Sequence, residues 1–289
     1  MRVSESLRYA NLRSQLGSMH SKLEASTREI ASGLRVHDAS DSPAGAATAQ
    51  RIDAALRSQE AYTRVADRME GQLEASDAAL DSATSVLVSA RELASQFGSG
   101  AWNDAAWAGA EAKVEELFAM LGNAANTSYA GTYLFGGTAD DAPPFDADGN
   151  YTGSSVSRSV DVQRNEPVSL VRGDEAFGGP NDAFAALSTL RDAIASRDGD
   201  AMRAAGDALQ ASFDQVVTAR EHVGRSVELT RSARAFGQVL SERHMVAREQ
   251  AVGTDLVSAI TSIEQHQLGL QYALQVASTL DDVNALARI

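Results

Sequence analysis

Apolar side chains recur at helical intervals at both ends of this chain of 289 residues. Leu12, Leu16, Met19, Leu23, Ile30 and Leu34 follow one another at steps of three, four and seven, which places them on one stripe of a helix. Arg13, Lys22, Glu24, Arg28 and Glu29 fall mostly off that stripe. Toward the other end, Val252, Leu256, Ala259, Ile263, His266, Leu270, Ala273, Ala277 and Leu280 alternate steps of four and three, a seam of period 3.5. Ile260, Leu274 and Val276 broaden it. Two such seams on one chain predict that its ends pair with each other.

Between the ends the helical pattern continues, with one interruption. Residues 44–97 read as an Ala-rich helix through Ile52, Leu56, Leu73, Leu80, Leu87 and Leu93, and no proline breaks it. Residues 104–130 place Val114, Leu117, Phe118 and Leu121 at helical spacing, and residues 182–250 do the same from Phe184 to Leu240. At 1.5 Å per residue the longest of these would reach roughly 80 Å. The segment 136–181 is different in kind. It holds Pro143, Pro144, Pro167 and Pro180, many glycines, and short alternating runs: Val156, Arg158, Val160 and Val162, then Pro167 to Val171. Asp148, Gly149 and Asn150 form a turn signal of the hairpin kind. The predicted fold is mainly α: an elongated antiparallel coiled-coil and helical rod formed by the N- and C-terminal halves, with a small β-rich insertion. The expected divisions are 1–40 with 248–289 as a terminal coiled-coil domain, 41–135 with 182–247 as a helical rod, and 136–181 as the insertion.

Composition narrows what such a rod can do. Lys and Arg number 25 against 39 Asp and Glu, a net charge of −14, and such a surface repels phosphate backbones and anionic lipid. Cysteine is absent, so a disulfide framework and thiolate metal sites are excluded. No apolar run near the N-terminus resembles a signal-peptide core, and none elsewhere has the roughly 18–20 apolar residues of a membrane span. If the protein leaves the cell, the expected route removes no conventional signal peptide; no nucleic acid and no membrane insertion are expected. His20, His37, His222, His244 and His266 fall in no close metal spacing; His266, on the C-terminal seam, is the one to watch as a packing position sensitive to pH. Asp140, Asp141, Asp146, Asp148 and Asn150 are rich in oxygen but lack the spacing of a calcium loop, and a turn with solvated carboxylates is the better reading. Trp102 and Trp107 flank a helix start and are expected to pack its turn. No cofactor, metal or catalytic residue is expected.

Four segments, in order, resemble one family. The stretch 32–52, with Gly33, Arg35, Asp41 and Pro43, is similar to a signature near the N-terminus of flagellins and hook-associated proteins. Its residues suit a helix stop and restart: Gly33 for a left-handed end, Asp41 or Ser42 as cap, Pro43 at the first helical position. Residues 88–96, with Arg91 and Glu92, resemble a flagellin rod-domain stretch. Tyr133, Leu134, Phe135 and Gly136, followed by Pro143, Pro144 and Phe145, resemble the hook-associated protein 3 family of hook–filament junction proteins, as does the stretch 253–274. The chain departs from the family at His37 and Asp38, which replace a more usual Asn-containing pair, and at Leu286 to Ile289, which lacks the usual apolar ending.

The resemblance implies a structural subunit of the bacterial flagellum that forms the hook–filament junction and is no enzyme. Implied partners are the other junction protein, flagellin, copies of itself in a ring, and an export chaperone at the C-terminal helix. Flagellin itself is the alternative, and a ligand- or metal-binding module in 136–181 a remote one. Leu12, Leu16, Met19, Leu23, Ile30, Leu34, Val252, Leu256, Ile260, Ile263, Leu270, Leu274 and Leu280 are the expected assembly seam, because one helix pair buries such faces incompletely. Neighbours in a tube would supply the rest, at roughly 1.5–3 kcal/mol for each large aliphatic side chain. Ends poorly ordered alone and helical in the assembly are expected for the same reason.

Overall fold

The computed structural model describes residues 2–100 and 102–286. They divide into two compact units: one made of residues up to Ser58 together with those from Leu240 onward, the other of Gln59–Val239.

In the first unit, helix α1 (Arg2–Ser32) packs on helix α7 (Leu256–Leu286). Leu34 bridges Gly253 in antiparallel fashion, and the Gly269 backbone lies against the Met19 thioether. Both pairs keep nearly the same sum of residue numbers, so the two helices run antiparallel. The predicted pairing of the two ends is borne out. This unit also contains the start of α2 (Pro43–Phe97) and the end of α6 (Gly199–Val252), joined by Arg248, whose Nε donates to Asp53 at 2.7 Å.

The second unit holds the main core. Leu73, Leu80 and Leu87 of α2, Leu117 and Leu121 of α3 (Asp104–Ala125), Leu187, Leu190 and Ile194 of α5 (Ala183–Ser196) and Leu209 of α6 are all essentially inaccessible to solvent. Fixed α-helical spacing of these leucines gives each helix one apolar stripe to bury. The predicted helix over 182–250 is two helices. Arg197 takes a left-handed conformation (φ 57°) and ends α5, and the Asp198 carboxylate then accepts from the Asp200 and Ala201 amides at 2.9 and 3.1 Å to start α6. The helix predicted to reach residue 130 stops at Ala125. Asn126 turns out of it and clamps Phe145, accepting from its amide and donating to its carbonyl, both at 3.0 Å. A two-residue turn at Ala130 and Gly131, both with positive φ, then closes a hairpin of β1 (Ser128–Tyr129) and β2 (Thr132–Tyr133).

In the insertion, β3 (Ser159–Gln163) and β4 (Glu166–Ser169) form an antiparallel pair turning at Asn165 (φ 61°). A short helix α4 (Gly173–Ala176) and a 3-10 turn at Gly179–Asn181 follow. The alternating run begins later than expected: Val160 and Val162 turn inward, but Val156 stays outside the strand and exposed. The turn at Asp148–Asn150 is present without flanking strands. A single bridge from Phe145 to Tyr151 closes it, and the Asp146 side chain accepts from the Asn150 side chain and from the amides of Asp148 and Asn150. Those bonds hold the Asp146 carboxyl below the usual range. The mainly α class with a small β insertion is as the pattern predicted.

Candidate assembly surface

The segment that resembles the family signature forms a clasp between the two ends of the chain. Gly33 has φ 72° and stops α1, its amide donating to the Glu29 carbonyl at 2.8 Å. The chain then lies against the end of α6: Arg35 and Val36 donate to the Val252 carbonyl at 2.8 and 3.3 Å, and Thr254 donates to the Gly33 carbonyl at 3.0 Å. Val36, Ala49 and Val252 bury a small apolar cluster beneath these bonds. Of the two expected caps, Ser42 caps α2, its hydroxyl accepting from the Gly45 amide at 3.2 Å, with Pro43 as the first helical residue. Asp41 instead ties the loop, accepting from the amides of His37 and Asp38, each at 3.0 Å. Those bonds, Asp38's first, lower its pKa.

The apolar seam divides into two groups. Leu12, Leu16, Met19, Leu23, Ile30 and Leu34 are half-buried, in keeping with one stripe facing a partner helix. On the opposite side of the pair, Val252 and Ala259 are buried and Ile263, His266, Leu270 and Ala273 half-buried. Leu256, Ile260 and Leu274 do not belong to this inward stripe. They are 52%, 50% and 53% exposed, because an α-helix of 3.6 residues per turn rotates them off it. Val257, Leu268, Tyr272 and Val276 are exposed as well, so α7 carries apolar groups around most of its circumference. Glu264 and His266 are its only acidic or basic residues between Leu256 and Thr279. A helix of that kind is suited to burial on several sides. The Leu280 side chain and residues Ala287–Ile289 lie outside the described residues.

The other motif residues build the junction of rod and insertion. Leu134 and Phe135 are buried, and Phe135 meets Phe177 edge-on at 5.2 Å between centroids. Phe145 contacts Phe177, Phe184 and Tyr151 at 5.8, 5.0 and 5.3 Å. This cluster gathers aromatic rings in a chain that has few of them. Pro144 is buried, its carbonyl accepting from Thr152, while Pro143 is exposed and Tyr133 half-buried. A side chain on Gly136 would strike the Ala139 carbonyl oxygen at 2.3 Å, so only glycine passes there. The Tyr151 hydroxyl donates toward the carbonyls of Phe135 and Ser154, and burial pushes its pKa up to about 12. Arg91 lies 6.0 Å from the Phe213 ring, and Glu92 is exposed. Trp102 and Trp107 pack around Phe97 at 5.0 and 5.1 Å, as a helix-turn role requires.

Sequence reasoning passed over an ion-pair ladder in the second unit. Arg220 of α6 grips Asp77 and Asp81 of α2, Arg231 grips Glu70 and Glu74, and Arg234 grips Glu70 and Asp67. The signal was available: 67, 70, 74, 77 and 81 are acidic at alternating helical steps. Arg231 first, and then Arg234, holds the Glu70 carboxyl below its ordinary pKa. The oxygen-rich loop yields no site: Arg158 pairs with Asp140, and Asp146 is engaged by its own turn. Among the described residues no group of three or more His, Asp or Glu is placed to hold a metal, and no helix is long and apolar enough to cross a membrane.

Residues 3–140 match the family model of the bacterial flagellin N-terminal helical region. The match spans 138 of the 289 residues, just under half of the chain. Over most of its length the chain is similar in fold to solved flagellar proteins. FlgL of Bacillus cereus superposes with a TM-score of 0.59 at 20% identity, covering 70% of this chain and 99% of that one. The flagellar junction protein FlgL of Legionella pneumophila gives 0.58 at 11% identity, over 71% and 99%. Hook-associated protein 3 of the same organism gives 0.50 at 13%, over 81% and 99%. At such identities the likeness is one of fold. No curated protein matches the chain by sequence. The clasp segment and the aromatic–glycine exit both lie within the residues that match this model, on a fold similar to that of these solved structures.

Proposed function

We propose that this flagellin-family chain is a structural subunit of the bacterial flagellum that sits at the hook–filament junction, joining the other junction protein to flagellin. The observation that carries the reading is α7: a long helix with only Glu264 and His266 as acidic or basic residues between Leu256 and Thr279, packed on α1 by one face and with Leu256, Val257, Ile260, Leu268, Tyr272, Leu274 and Val276 exposed outside it. Such a helix gains its missing burial from neighbouring subunits. The subunits would form a ring, with residues 1–40 and 248–289 innermost, the helices of 41–135 and 182–247 around them, and the insertion 136–181 outermost. Ordering of the terminal helices accompanies assembly, and an export chaperone covers the C-terminal helix beforehand. The chain acts outside the cell as part of the flagellum, and no residue in it is catalytic.

Flagellin is the competing reading, since the clasp is common to the family. The buried Leu134, Phe135 and Phe145 at the base of the insertion favour the junction. Immunogold electron microscopy on intact flagella separates the two. Label in one band where hook meets filament supports the junction; label along the whole filament makes the chain a flagellin; no label on flagella removes both readings.

A further inference from the structure

A groove of about 790 Å³ lies between β4 and α6 in the second unit. Every residue from Pro167 to Val171 lines it. A strand's face presents only alternate residues, so the groove follows the edge of β4. Among the described residues β3 is the only strand paired with β4, and the ladder between them fixes which backbone groups turn the other way. The Leu170 amide donates to the Arg158 carbonyl at 3.0 Å, and two residues earlier Val168 stands opposite Val160. Bonded residues of an antiparallel pair alternate with residues whose amides and carbonyls point outward. Pro167 and Ser169 are the outward ones, so Pro167 takes no donor from the ladder. The edge facing the groove therefore offers the Pro167 and Ser169 carbonyls and the Ser169 amide, followed by the Val171 amide. Neither amide donates to any backbone group among the described residues.

The far wall is a flank of α6, where Ala211, Gln215, Thr218, His222 and Ser226 follow at steps of four, three, four and four. The side chains are short apart from His222 and Gln215, and Gln215 is tied back, donating to the Gly178 carbonyl at 2.6 Å. A strand five residues long, matching Pro167 to Val171, fills about 17 by 4.8 by 10 Å, roughly 800 Å³. The groove holds one such strand and no second. Its wall also keeps this edge from meeting the same edge of another copy, since each is flanked by its own α6. Glu175 and Asp214 line the groove, and no Lys or Arg does. Arg172 engages Glu175, but Asp214 has no ion pair among the described residues, only a hydrogen bond from the Gln210 side chain at 2.7 Å. With a net charge of −14 on the chain, the complement is cationic.

We propose that this groove binds one extended, basic segment of another protein, which joins β4 as a third strand. Backbone pairing at Pro167, Ser169 and Val171 supplies the affinity, as in strand addition at any free sheet edge. A Lys or Arg reaching Asp214 supplies selection by charge. Pro167 limits promiscuous pairing by removing one donor from the edge. Such binding involves only the insertion and α6, at the junction and along the filament alike.

The probe is a fluorescein-labelled hexapeptide of alternating Val and Lys, titrated with the full chain and read by anisotropy. It should bind saturably. N-methylation of its amides, which keeps the charge but removes the donors, should weaken binding by about tenfold or more, as should Glu in place of Lys. Ser169→Pro removes the outward amide, leaves the ladder to β3 intact, and should weaken binding about tenfold. Thr218→Arg, at an exposed helix position, sets a cation one turn from Asp214 and should do the same with no change in circular dichroism. Absence of saturable binding overturns the proposal. So does equal binding of the N-methylated peptide, which reports attraction by charge alone. Binding indifferent to both substitutions places the peptide elsewhere and overturns it as well. Self-association of the chain that the peptide displaces would put a second copy in the groove and refute the choice of partner.

Discussion

Glu70→Gln should destabilise the protein by about 1–2 kcal/mol at neutral pH, and the loss should disappear in acid. The Glu70 side chain is 15% exposed and accepts from two guanidinium groups of α6, from Arg231 at 2.6 Å and Arg234 at 2.5 Å. A hydrogen bond to a charged partner contributes about 1.5–3 kcal/mol when well sheltered. Both arginines are 49% and 40% exposed, which discounts each contact toward the roughly 0.2–1 kcal/mol of surface pairs. Denaturant unfolding of the full chain should show a lower midpoint with an unchanged slope. The sign with pH follows from the lowered pKa. A depressed carboxyl adds stability above its ordinary 4.5, and that stability is lost as pH falls through the lower folded value. The difference between parent and variant should therefore close in acid, and narrow at about 1 M salt, where the screening length is near 3 Å. A variant equal to the parent at neutral pH, or a gap that persists well below pH 4.5, refutes the view that α6 grips α2 through charge.

Phe177→Ala should cost about 3–5 kcal/mol in a denaturant titration, because the ring is fully buried between Phe135 and Phe145 and its loss leaves a cavity. Tyr151, whose pKa is raised above its ordinary 10.0 to about 12, adds stability that is complete below pH 10 and lost as pH rises through 12. The loss of stability with rising pH should be smaller in Tyr151→Phe than in the parent, read by denaturant unfolding at about pH 9 and above about pH 11. Gly33→Ala should weaken the clasp by about 1–2 kcal/mol, since alanine resists the left-handed conformation at φ 72°. Faster hydrogen exchange at the Arg35 amide, which donates to Val252, is the readout, and Gly33→Asn should lose less.

The features legible beforehand were those set by local repetition. The steps of three, four and seven from Leu12 to Leu34 specify one helix stripe, and similar steps near the other end specify its partner, so pairing of the two ends is legible in the sequence. Gly33 and Pro43 marked a helix stop and restart for conformational reasons that need no tertiary context. What escaped notice depends on contacts distant in sequence. The helix over 104–130 ended at Ala125 because Asn126 finds the Phe145 backbone 19 residues away, and apolar spacing carries no trace of that. Sequence spacing puts Leu256 on the α7 seam because a period of 3.5 and one of 3.6 are indistinguishable over a few turns, and it takes Ile260 and Leu274 only as broadening that seam. Exposure separated them. The break at Arg197 was visible in hindsight as Arg-Asp-Gly, where the aspartate is a cap waiting for a helix start.

The separation of the two α7 faces can be tested by one position. Ile260 is 50% exposed on a helix whose inward face is already occupied by α1, so a carboxylate there meets water in the isolated chain. Ile260→Asp should change its unfolding free energy by no more than about 0.5 kcal/mol, the usual range for surface substitutions. If neighbouring subunits cover this face in the flagellum, the same carboxylate must give up its hydration without a partner. That costs several kcal/mol per subunit, more than a hundredfold in affinity at 1.4 kcal/mol per tenfold. Incorporation into flagella should fail for Ile260→Asp and survive for Ile260→Leu, with both chains folding normally by circular dichroism. A large fall in stability of the isolated variant would move Ile260 into the interior of the chain. Normal incorporation would mean that the outer face of α7 stays wet in the assembly, and the burial that drives subunit addition would then have to come from α1 or from the second unit.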